Sequence, residues 1–254
     1  MRILLTNDDG VEAPMLADLA AQLDVLGDVD VIAPATDMTG VSRSLSLHGP
    51  IAVDEIRLPD GRAAFAVSGT PADCVRFSAL GLAGAKPDVV VSGPNRGFNL
   101  GDDVAYSGTV AAALEAALLG MPAAALSQQA GPDGAFAAEA LGRFTLQLVP
   151  LLASGALSPG VVINVNAPAG PVAGVRVARL GRRHYRPVLR PAGEAEGGRR
   201  HYRLYGDAPL RLEGEPGTDI AAVAEGFISV TPLRFDLFAE DALAPLSALL
   251  PEAR

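Results

Sequence analysis

Arg2-Ile3-Leu4-Leu5-Thr6-Asn7-Asp8-Asp9-Gly10 is the stretch on which the fold turns. Residues 2–6 form a short apolar run of strand-favouring types that stops abruptly at Asn7-Asp8-Asp9-Gly10. A strand, a Gly turn and then an apolar-periodic stretch make up the first βα unit of an open α/β sheet. In such sheets ligands bind outside the carboxyl ends of the strands, where Asp8 and Asp9 stand. Two ionised neighbours repel unless a cation sits between them or one takes a proton. The stretch therefore predicts a divalent metal site. The competing reading has one Asp capping the next helix and the other solvated.

Working outward, residues 13–26 place Leu16, Leu19, Ala20, Leu23 and Leu26 on one face at helical spacing, with Pro14 near the start. Residues 29–33 read as a second parallel strand closed by Pro34, and the polar segment 35–49 overhangs the same edge as Asp8 and Asp9. Residues 51–56 and 63–67 form a strand pair through the Pro59-Asp60-Gly61 turn. A helix over 71–80 follows Thr70 as its cap, then a strand at 89–91 ends in Ser92-Gly93-Pro94-Asn95-Arg96-Gly97. Residues 99–106 read as a loop, 110–119 as a helix, 122–126 as a strand, 135–152 as a helix and 161–165 as a strand. This alternation predicts a Rossmann-like α/β fold, a largely parallel sheet sandwiched by helices with right-handed crossovers.

The texture changes after Pro168. Residues 173–180 and 199–205 read as strands flanking an Arg-, Pro- and Gly-rich arm at 181–198. A short helix at 218–223, a strand at 227–231 and a closing helix at 239–250 complete the chain. The expected organisation is a core over 1–170 and, over 171–254, a β-hairpin arm with a strand and a terminal helix returning to the core.

Composition narrows the function. The chain has 254 residues, enough to bury about 70–75% of its unfolded surface. Its formal net charge of −9 argues against gripping a nucleic-acid duplex, which needs a basic face. Lys86 is the sole lysine, so Schiff-base and P-loop chemistry are largely excluded. The single cysteine, Cys74, makes no intrachain disulfide and reads as buried core. The stretch 110–126 is interrupted by Glu115, Gly120 and Pro122 and is not a membrane span, and the first residues do not form a signal peptide. The expected location is the cytoplasm.

Three polar strand ends converge in this arrangement: Asp8-Asp9, Thr39 and Asn95. Carboxylate, hydroxyl and amide oxygens are the ligand set of Mg²⁺ or Mn²⁺, not of zinc. Singly, Thr39 also reads as a turn cap before Gly40, and Asn95 as a turn residue before Gly97. Two helix starts, Ser68-Gly69-Thr70 and Ser107-Gly108-Thr109, combine hydroxyls with a Gly that admits a ligand to the backbone, though the same residues cap helices without a ligand. Arg43 and Arg96 are candidate phosphate partners or plain surface charges. His48, His184 and His201 do not support a Ser-His-Asp triad.

The blocks ILLTNDDG (3–10), SGTPADCV (68–75), VVSGPN (90–95), NLGDDVAYSGTV (99–110) and GFISVTPL (226–233) together resemble the SurE (survival protein E) family. That resemblance implies a metal-dependent nucleotidase, an acid-type phosphomonoesterase releasing phosphate from nucleoside 5′- and 3′-monophosphates and from short polyphosphate. It implies one divalent cation per subunit, with Asp8, Asp9 and Asn95 as ligands and Thr39 where the family has Ser. Ser107, Gly108 and Thr109 would cradle the phosphate. A homodimer or homotetramer exchanging the C-terminal arm is implied as well. Glu12 and Arg43 stand where relatives commonly carry His, and Arg43 does not titrate near neutrality. Rival readings are an aspartyl-phosphate phosphatase, a receiver-like signalling domain and a metal-dependent nucleotide-binding protein without turnover.

Overall fold

The computed structural model of the chain describes residues 1–131, 136, 138–182, 187–194, 200–205 and 214–250. Among these residues eleven strands, six α-helices and one 3₁₀ helix occur in the order β1 (Arg2–Thr6), α1 (Pro14–Leu23), β2 (Asp28–Pro34), β3 (Val53–Arg57), β4 (Ala63–Val67), α2 (Pro71–Ala79), β5 (Val89–Arg96), the 3₁₀ helix (Gly101–Ala105), α3 (Gly108–Leu118), β6 (Ala123–Gln128), α4 (Ala138–Ala153), β7 (Val161–Ala167), β8 (Gly174–Val177), β9 (Pro187–Glu194), β10 (Arg200–Tyr205), α5 (Asp219–Ala224), β11 (Phe227–Arg234) and α6 (Glu240–Leu249). Nine strands make one sheet in the order β3-β4-β2-β1-β5-β6-β7-β11-β8. Only β3 with β4 and β11 with β7 pair antiparallel, so the sheet is largely parallel as the alternation predicts.

Strand β1 lies inside the sheet, between β2 and β5, and is buried on both faces because its residues alternate between two cores. Ile3 and Leu5 pack with Leu16, Leu19 and Leu23 of α1 and with Leu141, Val149 and Leu152 of α4. Leu4 faces the other way, against Cys74 and Val75 of α2 and Val110, Ala112, Ala113 and Ala116 of α3. The alanine run of α3 brings that helix close to the sheet, and its fully buried Glu115 is paired with Arg76 at 2.6 Å. Among the described residues no helix is long and apolar enough to cross a membrane.

Three features differ from the sequence reading. Strand β5 does not stop at Val91 but runs to Arg96, because its register with β6 slips between Ser92 and Asn95, one extra residue standing on β5. Such a bulge bends a strand and re-aims the residues beyond it. Residues 101–105 of the expected loop form the 3₁₀ helix. The hairpin is built from β9 and β10, whereas β8 leaves the arm to pair parallel with β11 at the sheet edge. Parts of the arm, His184 included, lie outside the described residues.

Candidate active site

Asp8 and Asp9 follow β1 at the carboxyl edge of the parallel strands. The turn is shaped by Gly10, whose φ of +98° lies in the left-handed region that a side chain disfavours. Asn7 braces the turn by donating from Nδ2 to the Gly10 carbonyl at 2.8 Å. Segment 35–41 crosses over it, the Met38 N–H donating to the Asp8 carbonyl at 2.7 Å.

The two carboxylates are held differently. Asp8 is 2% exposed, and its oxygens accept from the Thr109 N–H at 3.0 Å and the Thr109 hydroxyl at 2.5 Å. Burial pushes its pKa up to about 6 against the pull of those hydrogen bonds, and the Asp9 charge adds to the rise. Asp9 is half-buried and accepts from the Arg96 N–H at 3.0 Å; burial raises its pKa as well, and Arg96 opposes the rise. The β5 bulge therefore sets Arg96 beside Asp9 and carries Asn95 to the same edge. Asn95 is 8% exposed and donates to the Gly97 carbonyl at 3.1 Å, while its Oδ1 accepts no hydrogen bond among the described residues.

Thr39 lies on the overhanging segment and is exposed. Both its N–H (2.7 Å) and its hydroxyl (2.6 Å) donate to Asp37 Oδ1, which holds the Asp37 carboxyl below its usual range. With its proton donated, the Thr39 oxygen keeps its lone pairs for another partner. Asp37 also acts electrostatically on Asp9, and Arg96 on both. Sequence reasoning missed Asp37; the Asp-x-Thr spacing of an Asx turn is the signal that marks it.

Helix α3 starts directly against Asp8. A Cβ on Gly108 would stand 2.8 Å from the Asp8 Cβ and Oδ2, closer than real Cβ contacts come. The Ser107 hydroxyl accepts from the Val110 N–H at 3.1 Å as the helix cap, and Thr109 is taken up by Asp8. This leaves the Gly108 N–H without a partner among the described residues, at the positive end of the helix.

Other candidates fall elsewhere. Arg43 lies over the Phe235 ring, 3.5 Å from its centroid, with a buried Nη1 that makes no hydrogen bond, and among the described residues no hydrogen bond or ion pair joins it to Asp8, Asp9 or Asn95. At the start of α2, Thr70 and Asp73 form a reciprocal capping box, and Ser68 accepts from the Ala52 N–H at 2.8 Å. His48 and His201 are exposed, Glu12 is exposed, and Cys74 is fully buried with its thiol pKa pushed up by burial. No cluster of three His, Cys, Asp or Glu side chains occurs among the described residues.

A polar layer beneath the site also escaped the sequence reading. The Asn99 N–H donates to Asn166 Oδ1 at 2.8 Å and its Nδ2 to the Ser127 hydroxyl at 2.8 Å, while the Asn99 carbonyl accepts from Asn164 and Asn166. These bonds tie the chain leaving Asn95 to β6 and β7, and so fix the height at which the 3₁₀ helix and α3 begin.

The family profile described as Survival protein SurE matches residues 3–187. A 5′-nucleotidase SurE from Rubrobacter xylanophilus is 46% identical over 248 residues, covering 93% of this chain and 92% of that protein. One from Syntrophotalea carbinolica is 44% identical over 237 residues with the same coverage. The crystal structure of the SurE protein from Aquifex aeolicus superposes with a TM-score of 0.81 at 32% identity, covering 98% of this chain and 99% of that one. With likeness in sequence and fold running over nearly its whole length, this chain belongs to the SurE family.

Proposed function

We propose that this chain releases orthophosphate from nucleoside 5′- and 3′-monophosphates with the help of one Mg²⁺ or Mn²⁺ per subunit held by Asp8, Asp9, Thr39 and Asn95. Membership of a family whose relatives are named 5′-nucleotidases makes it a hydrolase of that class. The observation that carries the finer reading is the seating of the α3 N-terminus on the Asp8-Asp9 pair, which sets carboxylates for a cation beside a helix start suited to an anion. Short polyphosphate presents the same terminal phosphoryl group and belongs to the same reading.

The donor set fits a hard cation. Each Asp8 oxygen has given one lone pair to Thr109 and keeps another, Asp9 uses only Oδ2, and the Asn95 and Thr39 oxygens are free to accept. Burial of both carboxylates disfavours leaving them ionised without a counter-charge, and Arg96 is the cation acting on Asp9. When bound, such an ion polarises a phosphoryl oxygen and acidifies water. The protein's own part is orientation: Thr109 fixes the Asp8 carboxylate, and Asp37 turns the Thr39 hydroxyl proton away from the site. The Gly108 N–H and the Arg96 guanidinium are the donors this reading assigns to developing charge on the phosphate. The Ser107 hydroxyl proton is a further donor at the same helix start.

Calorimetric titration of metal-stripped protein with Mn²⁺ tests this. One site per chain, lost in Asp9→Ala, is expected; an unchanged site in that variant contradicts the ligand assignment. Binding of metal and nucleotide by folded protein that releases no phosphate would replace the hydrolase reading with a nucleotide-binding protein.

The proposal extends to assembly, with 1–170 as catalytic core and 171–254 as the part that joins subunits into a dimer or tetramer. Strands β9 and β10 pair only with each other among the described residues, and Leu189, Tyr202 and Leu204 on them are exposed. Helix α6 has no buried residue and exposes Leu243, Leu246 and Leu249. Deletion of 187–205 is expected to reduce the assembly seen by light scattering, and an unchanged mass contradicts this division.

A further inference from the structure

We propose that the cleft between the 3₁₀ helix and segment 179–182 receives the nucleoside half of the substrate, with the base stacked on Tyr106. The inference rests on the hydrolase reading above and adds to it the place where a substrate is told from a bare sugar phosphate. The cleft encloses about 660 Å³ and is lined by Gly101, Tyr106, Arg179, Gly181, Arg182 and Glu215 among others. That volume falls in the range of small-molecule sites.

Tyr106, on the cleft wall, stands two residues before Gly108, which abuts Asp8, so its Cα lies at most about 7.6 Å from that of Gly108. A ligand with its phosphate at the α3 start and its base in the cleft has to pass Tyr106, which is 66% exposed.

Both walls of the cleft are held by backbone hydrogen bonds. Asp219 is fully buried, and its carboxylate accepts from the Gly101 N–H on one wall at 2.8 Å and the Gly181 N–H on the other at 2.7 Å. A Cβ on Gly181 would meet Ile220 Cδ1 at 2.7 Å, so the wall comes this close only as glycine. Tyr106 is held from both sides: its N–H donates to the Asp103 carbonyl at 2.9 Å, and its carbonyl accepts from the Ser42 N–H at 3.1 Å. Ser42 adopts a φ of +53°, a left-handed conformation for a residue with a side chain, while its hydroxyl donates to the Ala105 carbonyl. An exposed aromatic ring on a pinned backbone is a stacking platform with little left to order.

Chemistry completes it. Arg179 pairs with Glu215 at 2.7 Å, and Arg182 acts on the same carboxylate, so the wall offers guanidinium donors and carboxylate oxygens to the polar edge of a base. A sugar phosphate without a base has nothing to give Tyr106 or this edge.

The test is the ratio of kcat/KM for a nucleoside 5′-monophosphate to that for ribose 5-phosphate, measured on the metal-loaded full chain as wild type, Tyr106→Ala and Tyr106→Phe. Base–aromatic stacking predicts a fall in the ratio of roughly 5- to 100-fold for Tyr106→Ala, carried by KM, with Tyr106→Phe close to wild type. An unchanged ratio in Tyr106→Ala overturns the cleft while hydrolysis of both substrates leaves the hydrolase reading standing. If the wild type hydrolyses neither substrate, the hydrolase reading fails, and equilibrium titration with adenosine judges the cleft alone. Binding weakened at least about 5-fold in Tyr106→Ala then supports the cleft, and equal or absent binding overturns it.

Discussion

Helices α2 and α3 open with the same three residue types, Ser68-Gly69-Thr70 and Ser107-Gly108-Thr109, yet the two starts do different things. At α2 the polar groups close on themselves: Thr70 and Asp73 cap each other, and Ser68 fixes the neighbouring strand. At α3 the frame is shifted by two residues, so that Ser107 is the cap, Gly108 touches Asp8, and Thr109 gives both its donors to that carboxylate. What separates a cap from a site is the element packed against the helix start. For α3 that element is the end of β1, which carries two acids.

The largest expected effect that sharpens this contrast is at Asp8. Asp8→Asn is expected to lower phosphate release at least about 1000-fold, or about 4 kcal/mol of transition-state stabilisation, with the far-ultraviolet circular dichroism unchanged. Retained turnover would mean that the carboxylate facing α3 is only structural. Next come the paired glycines. A methyl on Gly108 would enter the space of the Asp8 carboxylate, so Gly108→Ala is expected to cost on the order of 100-fold in kcat. Gly69→Ala would press on Asp73 at 2.9 Å and Ile51 at 3.3 Å, costing about 1–3 kcal/mol of stability in urea melts with kcat intact. Similar kinetic losses in the two variants would erase the distinction.

Smaller effects separate the threonines. Thr109→Val keeps the shape and removes the hydroxyl that orients Asp8, with an expected loss of roughly 10-fold in Mn²⁺ affinity. Thr70→Ala removes a cap, at about 1 kcal/mol of stability, and leaves Mn²⁺ affinity in place. A separate check is the pH dependence of the metal-free chain. Because Asp8 has its pKa raised from 3.8 to about 6, the folded state holds a proton that the unfolded state has lost between those values. Stability from this group is complete below about pH 4 and declines as pH rises through 6, by on the order of 3 kcal/mol. Melting temperatures across this window should fall with pH, and the fall should be shallower in Asp8→Asn.

The parts legible in the sequence were those that depend on neighbours along the chain. The Ile3-Leu4-Leu5 run showed β1, the alternation of strands and helices showed a largely parallel sheet, and Thr70-Pro71 showed a capped helix start. The motif blocks carried the family. Contacts made by distant residues were not legible: Asp8 and Thr109 are 101 positions apart, and nothing local distinguishes Thr109 from Thr70. The bulge at Gly93-Pro94 was hidden because its residues read as a strand end, although the pairing with β6 resumes at Asn95. Segment 173–180 read as half of the hairpin because its length and texture suit either partner, and only pairing with β11 decides the matter. Arg43 read as a phosphate partner or a plain surface charge, and its contact with the ring of Phe235, far along the chain, carried no local signal.

The most direct measurement is orthophosphate release from a panel of nucleoside 5′- and 3′-monophosphates by metal-stripped protein, before and after adding Mg²⁺ or Mn²⁺. The account predicts no release without metal, release restored by either ion, and none from Asp8→Asn under the same conditions. Release that is indifferent to metal, or folded protein that binds the ion and releases nothing, would contradict it.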